Sequence, residues 1–116
     1  MGLVISSFEG VKIVTIEDVA LLDPVAIDGI GRRLYQLVDD EAHRKIIVDF
    51  RKVRRLSSQM IGVVIELHKK AQAIKGTVAY CGMIDSVRKG FHIARLDKVL
   101  HIADDETEAI RLVDGR

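Results

Sequence analysis

The sequence predicts an α/β fold in which a mixed β-sheet carries about four helices, packed mainly on one of its faces. Short segments that are rich in β-branched residues, or in which apolar and polar residues alternate, are followed along the chain by longer segments whose apolar residues recur with helical period. One run, Ile46-Ile47-Val48, is apolar at successive positions, which suits a strand buried on both faces in the middle of a sheet. A chain of 116 residues can bury one compact core, so we expect a single domain over residues 1–116.

The chain begins with a predicted β-hairpin followed by a helix. Leu3–Phe8 and Val11–Ile16 are the two strands, and the two residues between them form the turn. Pro24–Val38 has the apolar spacing of an amphipathic helix, with Val25 assigned to its apolar face. Asp23 is the predicted N-cap, because its carboxylate can accept a hydrogen bond from a first-turn amide and Pro24 has no amide to leave unsatisfied.

Lys45–Phe50 is the predicted central strand, and a long helix follows it. Apolar residues recur with helical period from Met60 to Ile74, and Gly76 is the predicted C-cap. Thr77–Cys81 is the next strand.

The remaining elements are a helix, a strand and a C-terminal helix. Asp85-Ser86 is predicted to cap a helix that carries Val87 and Phe91. Val99–Ile102 is the last predicted strand. The acidic residues from Asp104 onwards favour the start of a final helix.

The composition of the chain argues against several classes of function. Eighteen basic residues nearly balance seventeen acidic ones, and aromatic residues make up 4%, which argues against a nucleic-acid binder. The start of the chain lacks a signal sequence, and no segment approaches the ~18 apolar residues of a membrane span. A lone Cys81 fits a reducing cytoplasm. We therefore expect a soluble cytoplasmic protein with no membrane or nucleic-acid partner.

The sequence contains no recognisable catalytic or metal-binding motif. The four histidines belong to different predicted elements without the spacing that places two on one helix face, and we interpret them as ordinary surface or partly packed residues. The glycines form no phosphate-binding loop, and the acidic run at Asp104 lacks the spacing of a calcium loop. We expect no enzyme activity, no catalytic residue, no metal and no cofactor.

From Lys45 to Val113 the chain resembles the STAS family of anti-sigma-factor antagonists. The resemblance rests on a buried strand that ends in Asp49, on Val53, and on a Ser-containing turn that opens a helix, Ser57-Ser58-Gln59-Met60-Ile61-Gly62. A later run from Asp85 to Val99 is similar to the family's third helix and the Leu-Asp segment after it. The resemblance implies a STAS-like sheet and a regulatory function exerted by binding a protein.

In that family a serine at the second position of an Asp-Ser-Ser motif is phosphorylated by a kinase that is also the anti-sigma factor. The gapless match makes Ser58 the expected acceptor, with Ser57 as second choice. This chain departs from the family pattern at Ser57, which replaces the Asp, and at Gln59-Met60, which replace Ser-Gly. Both serines also have a purely structural interpretation, since a hydroxyl just before a helix can cap its first-turn amides.

The expected partner surface surrounds this serine. Arg51, Lys52, Arg54 and Arg55 form a basic cluster that is either a solvated loop or a contact for phosphoserine or an acidic partner. The predicted partner-binding residues are Asp23, Arg54, Arg55, Ser57, Ser58, Gln59 and Gly62. The leading hypothesis is a switch that binds a kinase-type anti-sigma factor until Ser58 is phosphorylated. The alternative is a STAS module without phosphorylation, with a structural, assembly or small-ligand role.

Overall fold

A five-stranded mixed sheet forms the centre of the domain in the computed structural model, which describes residues 2–115. Its spatial order is β1-β2-β4-β6-β7, with β1 antiparallel to β2 and every other neighbouring pair parallel. A separate parallel pair joins β3 and β5. The strands are β1 Leu3–Phe8, β2 Val11–Ile16, β3 Ala20–Leu21, β4 Lys45–Asp49, β5 Arg55–Leu56, β6 Thr77–Cys81 and β7 His101–Ala103.

Among residues 2–115, four helices cover the sheet, three on one face and one on the other. They are α1 Pro24–Asp39, α2 Ser58–Ala73, α3 Asp85–Ile93 and α4 Glu106–Asp114. The larger core lies between the sheet and α1, α2 and α3, whereas α4 packs alone on the opposite face. The predicted α/β class, helix number and uneven distribution over the two faces are therefore confirmed. None of the helices described between residues 2 and 115 has the length and apolarity of a bilayer span.

The central strand β4 contributes to both cores because its side chains alternate between the faces. Ile46 and Val48 belong to the larger core, and Ile47 faces α4; all three are fully buried. β4 pairs in parallel with β2 on one side and β6 on the other. Asp49 ends this strand, as predicted.

Two predicted helix boundaries are wrong. Gly76 is not the left-handed C-cap of α2, since Lys75 has the positive φ of 60°. Gly76 instead allows a close approach, because a Cβ there would lie 2.9 Å from backbone atoms of Arg44. At α3, Ile84 occupies the N-cap position without a capping side-chain bond, and Asp85 is already the first helical residue.

The observed strands also differ from the predicted ones where segments far apart in the sequence pair with each other. β7 begins two residues later than predicted, at His101, because its pairing with β6 starts with Ala79. β3 and β5, each only two residues long, are not predicted by any pattern in the sequence. Such short strands exist through their mutual pairing and leave no periodic pattern.

Replacement of Ile47 by Asp should prevent stable folding. The carboxylate would be buried between β4 and α4 without a partner, at a cost of several kcal/mol against a total stability of about 5–15 kcal/mol. Thermal melting followed by circular dichroism tests this, with Val99→Asp as the control, since Val99 is 55% exposed. A cooperative Ile47→Asp transition near the wild-type temperature would contradict the burial of β4.

Candidate functional site

The start of α2 is held in place by backbone bonds to the segment before α1. The amide of Ser57 donates to the carbonyl of Leu21 at 2.9 Å, next to the paired strands β3 and β5. Phe50 and Val53 are fully buried and anchor the loop between β4 and β5. The helix therefore begins at a fixed place beside the sheet.

Asp49 organises the first turn of that loop. Its carboxylate is buried, and Oδ1 accepts a hydrogen bond from the Arg51 amide at 2.9 Å. Gly82 makes room for it, since a Cβ there would lie 2.6 Å from Asp49 Oδ1. This contact gives the aspartate at the end of β4 a structural role.

The two serines occupy different environments. Ser58 is the exposed first residue of α2. Ser57 is the N-cap by position, but its Oγ is buried, makes no capping bond and has no hydrogen-bond partner among the described residues. The expected hydroxyl cap is therefore absent at Ser57, where the backbone carbonyl instead accepts from Met60 N at 3.1 Å.

The predicted basic cluster divides into paired and unpaired cations. Arg51 Nε lies 3.5 Å from the Asp49 carboxylate, and Lys52 forms an ion pair with Glu17. Arg54 and Arg55 are exposed, and their side chains form no ion pair or hydrogen bond with any residue from 2 to 115. The positive charge available to a partner is therefore concentrated on these two arginines.

The fold brings the start of α1 to the start of α2. Gln59 Nε2 donates to the Pro24 carbonyl at 3.1 Å across the two helix starts. Asp23 caps α1 as predicted, with Oδ2 accepting from Ala26 N at 3.2 Å. Both helices follow the carboxyl ends of parallel strands, so the candidate residues from the two segments share one end of the domain.

Three exposed apolar residues also lie in these segments, and sequence reasoning missed them. Val19, Leu22 and Val25 are 57%, 43% and 76% exposed. The carbonyl of Val19 accepts from Arg54 N at 2.7 Å, which places this residue next to the unpaired cations. The assignment of Val25 to the buried face of α1 was wrong, because residues three and four positions later, Asp28 and Gly29, are also exposed.

We call this combined area the helix-start surface. It has two cations without a partner among residues 2–115, an exposed serine and an apolar part. Such a mixture of apolar and polar groups is typical of a protein-binding surface. Its members are Val19, Leu22, Asp23, Val25, Arg54, Arg55, Ser58, Gln59 and Gly62.

Burial favours the neutral forms of Cys81 and His68. Burial, followed by the nearby Asp49, raises the pKa of the Cys81 thiol to about 12, so the thiol stays protonated at neutral pH. Burial lowers the pKa of His68, and the charge of His101 lowers it further. These two histidine rings lie 6.4 Å apart, although the sequence placed them in unrelated elements. Among residues 2–115, no group of His, Cys, Asp or Glu is arranged to hold a metal ion.

Comparison with known proteins identifies relatives of this chain. The STAS domain family model matches residues 5–109. A Thermotoga neapolitana homologue of TM1081, named as an anti-sigma factor antagonist, is 26% identical over 77 residues, which are 66% of this chain and 68% of that protein.

Solved structures share the fold at low sequence identity. The TM1081 protein of Thermotoga maritima is 17% identical and has a TM-score of 0.83, with 96% of this chain and 93% of that chain covered. The anti-sigma factor antagonist SpoIIAA in its unphosphorylated form is 20% identical and has a TM-score of 0.75, with coverage of 99% and 100%. Its phosphorylated form from Bacillus is also 20% identical, with a TM-score of 0.72 and coverage of 96% and 98%.

Alanine substitutions at the two helix starts should differ in their effect on the free energy of unfolding. Asp23→Ala removes an observed capping bond and should lower the free energy of unfolding by about 1 kcal/mol. Ser57→Ala removes a buried hydroxyl that has no hydrogen-bond partner within residues 2–115 and should leave that free energy unchanged or raise it slightly. Urea denaturation measures both. An equal loss for the two variants would show that Ser57 does cap α2.

Proposed function

The chain belongs to the STAS domain family, and from that premise we propose that it is a regulatory protein that binds a kinase-type anti-sigma factor through the helix-start surface and is switched by phosphorylation of Ser58. The observation that carries this proposal is the position of Ser58, exposed at the first turn of α2 and three residues after the unpaired Arg55. We also propose that the protein acts in the cytoplasm without a cofactor or catalytic activity of its own.

Accessibility favours Ser58 over Ser57 as the acceptor. A kinase must reach the hydroxyl oxygen, and the Oγ of Ser57 is buried. A phosphate on Ser58 would lie at a helix N-terminus, where free amides and the positive end of the helix dipole favour an anion. It would also add about −1.5 to −2 charges close to Arg54 and Arg55. The fold would tolerate the modification, and the phosphate would offset the two positive charges of Arg54 and Arg55.

The composition of the helix-start surface indicates the chemistry of its partner. Arg54 and Arg55 complement an acidic patch, and Val19, Leu22 and Val25 complement an apolar one. An acidic partner bound to the arginines would be repelled by phosphate on Ser58, which gives the switch its direction. The unmodified chain is thus the binding form.

The departures from the family motif support a second candidate, a STAS module with a structural, assembly or small-ligand role and no phosphorylation. Met60 is fully buried in the core, and Gln59 bonds to the Pro24 carbonyl. Both residues hold the two helix starts together. A kinase that requires the usual residues at these positions would not act on this chain.

Phosphosite mapping separates the two candidates. The chain is incubated with extract of its native cell and ATP, and its phosphate is located by mass spectrometry. We expect phosphate on Ser58, which persists in Ser57→Ala and disappears in Ser58→Ala. Ser58→Glu should keep the melting temperature and weaken partner binding. Phosphate on Ser57 alone would contradict the assignment, and phosphate on neither serine would favour the second candidate.

The basic pair provides a test that does not depend on phosphorylation. Arg54→Ala with Arg55→Ala should weaken binding to the anti-sigma factor roughly fivefold at low salt, about 1 kcal/mol, and should reduce the salt dependence. The matched control is Lys89→Ala with Arg111→Ala, which removes two exposed cations from α3 and α4. Equal affinity losses in both double variants would show a net-charge effect and refute a local role of Arg54 and Arg55.

A further inference from the structure

The outer edge of β1 carries a row of unpaired backbone groups. β1 is the last strand of the sheet, and Glu17 N donates to the Gly2 carbonyl at 2.9 Å, which makes these two residues a hydrogen-bonded pair. Because such pairs alternate along an antiparallel ladder, the residues of β1 at every second position after Gly2, which are Val4, Ser6 and Phe8, direct their N–H and C=O groups towards β2. The residues between them, Leu3, Ile5 and Ser7, direct theirs outward.

This edge lacks the features that usually block pairing with another strand. Natural edge strands are protected by Lys, Pro, inward-pointing charges or β-bulges. β1 has the sequence Leu-Val-Ile-Ser-Ser-Phe, without a charged residue or proline. Its pairing with β2 runs continuously from Leu3 opposite Ile16 to Phe8 opposite Val11, so no bulge twists the edge away.

Both faces of β1 present apolar surface beside this open edge. On the α1 side, Leu3 and Ile5 form one wall of a groove of about 320 Å³, and α1 forms the other wall with Ile30 and the side-chain-free Gly29. On the α4 side, Val4 and Phe8 are 51% and 48% exposed. A strand added to β1 would cover apolar atoms on both faces.

We propose that this edge binds β1 of a second copy of the chain, in antiparallel orientation, so that the two sheets continue into one another across a two-fold axis. In one register, each residue whose backbone groups point outward forms a hydrogen-bonded pair with such a residue of the second copy. This register places Ile5 opposite Ile5 of the second copy and Leu3 opposite Ser7 of the second copy. This register also brings Val4 diagonally next to Phe8 of the second copy. The exposed apolar residues on the α4 side then cover each other.

The charges along the groove favour a second copy as the occupant. Asp23 and Arg33 line opposite ends of the groove, ten residues apart on α1, or about 15 Å. α1 connects the parallel strands β2 and β4 and therefore runs opposite to them, in the same direction as β1. The two-fold axis then makes α1 of one copy antiparallel to α1 of the other. Each Asp23 is thereby brought to the end that holds Arg33 of the second copy. Arg33 keeps its own bond to Glu41, at 2.6 Å. The net charge of +1 adds little repulsion between copies.

Sedimentation over a concentration series tests the association. The full chain should shift from monomer to dimer, and Val4→Lys should raise the dimer dissociation constant at least about tenfold, because it buries a cation at the joined edges. Val99→Lys is the matched control, since Val99 has a similar exposure of 55% and precedes β7 at the other edge of the sheet. A monomer at all concentrations, or equal effects of the two lysines, would overturn the proposal.

Cysteine cross-linking tests the register independently of affinity. Val4 lies opposite Ser6 of the second copy in a non-hydrogen-bonded pair, where the Cα separation of about 4.5 Å permits a disulfide. Val4→Cys and Ser6→Cys proteins, mixed and oxidised, should form the mixed disulfide, and neither should cross-link efficiently alone. Native Cys81 is buried. Equal cross-linking of each protein with itself, or no cross-linking of the mixture, would overturn this register.

Discussion

The parallel pairing of β4 with β2 on one side and β6 on the other sets the arrangement of the sheet and of the helices that follow its strands. A strand in that position loses water on both faces and must be apolar throughout, as Ile46, Ile47 and Val48 are. Parallel pairing also requires each strand to return through a crossover, and helices supply those crossovers. The helices that follow β2 and β4 therefore start at the same end of the sheet. A surface made from two helix starts is a direct consequence of how β4 is paired.

The chemistry of that surface depends on which charges the fold neutralises internally. Asp49 and Glu17 pair with Arg51 and Lys52, and this leaves Arg54 and Arg55 exposed, with no partner in the part of the chain that the structure describes. The pair between Lys52 and Glu17 is accessible to solvent on both sides and contributes little stability. The larger effect of the two pairs is to divide a run of basic residues into cations that are already paired and cations available for electrostatic recognition. Ser58 lies beside the available cations, which is why its modification is proposed as the switch.

The two edge strands of the sheet, β1 and β7, differ in length and in composition. β7 is only three residues long and follows an exposed loop, which offers a short edge to another strand. β1 is six residues long, uncharged and apolar on both faces. The hairpin that creates this edge uses a two-residue turn in which Glu9 and Gly10 have φ of 47° and 84°. A tight turn of this type keeps β1 in register with β2 to its last residue, so the open edge extends over the whole strand.

Local sequence patterns were enough to predict the fold class, the four helices, the buried strand ending at Asp49 and the cap at Asp23. Each of these follows from residues close together in the chain, where periodicity and capping chemistry act locally. The tertiary structure alone decided the exposure of Val25, the role of Gly76, the absence of a hydroxyl cap at Ser57 and the pairing that leaves Arg54 and Arg55 unpaired. All of these depend on contacts between segments far apart in the sequence. β3 and β5 exist only because Leu21 and Leu56 meet in space, and the backbone bonds of that meeting fix the start of α2, where Ser58 becomes exposed while Ser57 is buried.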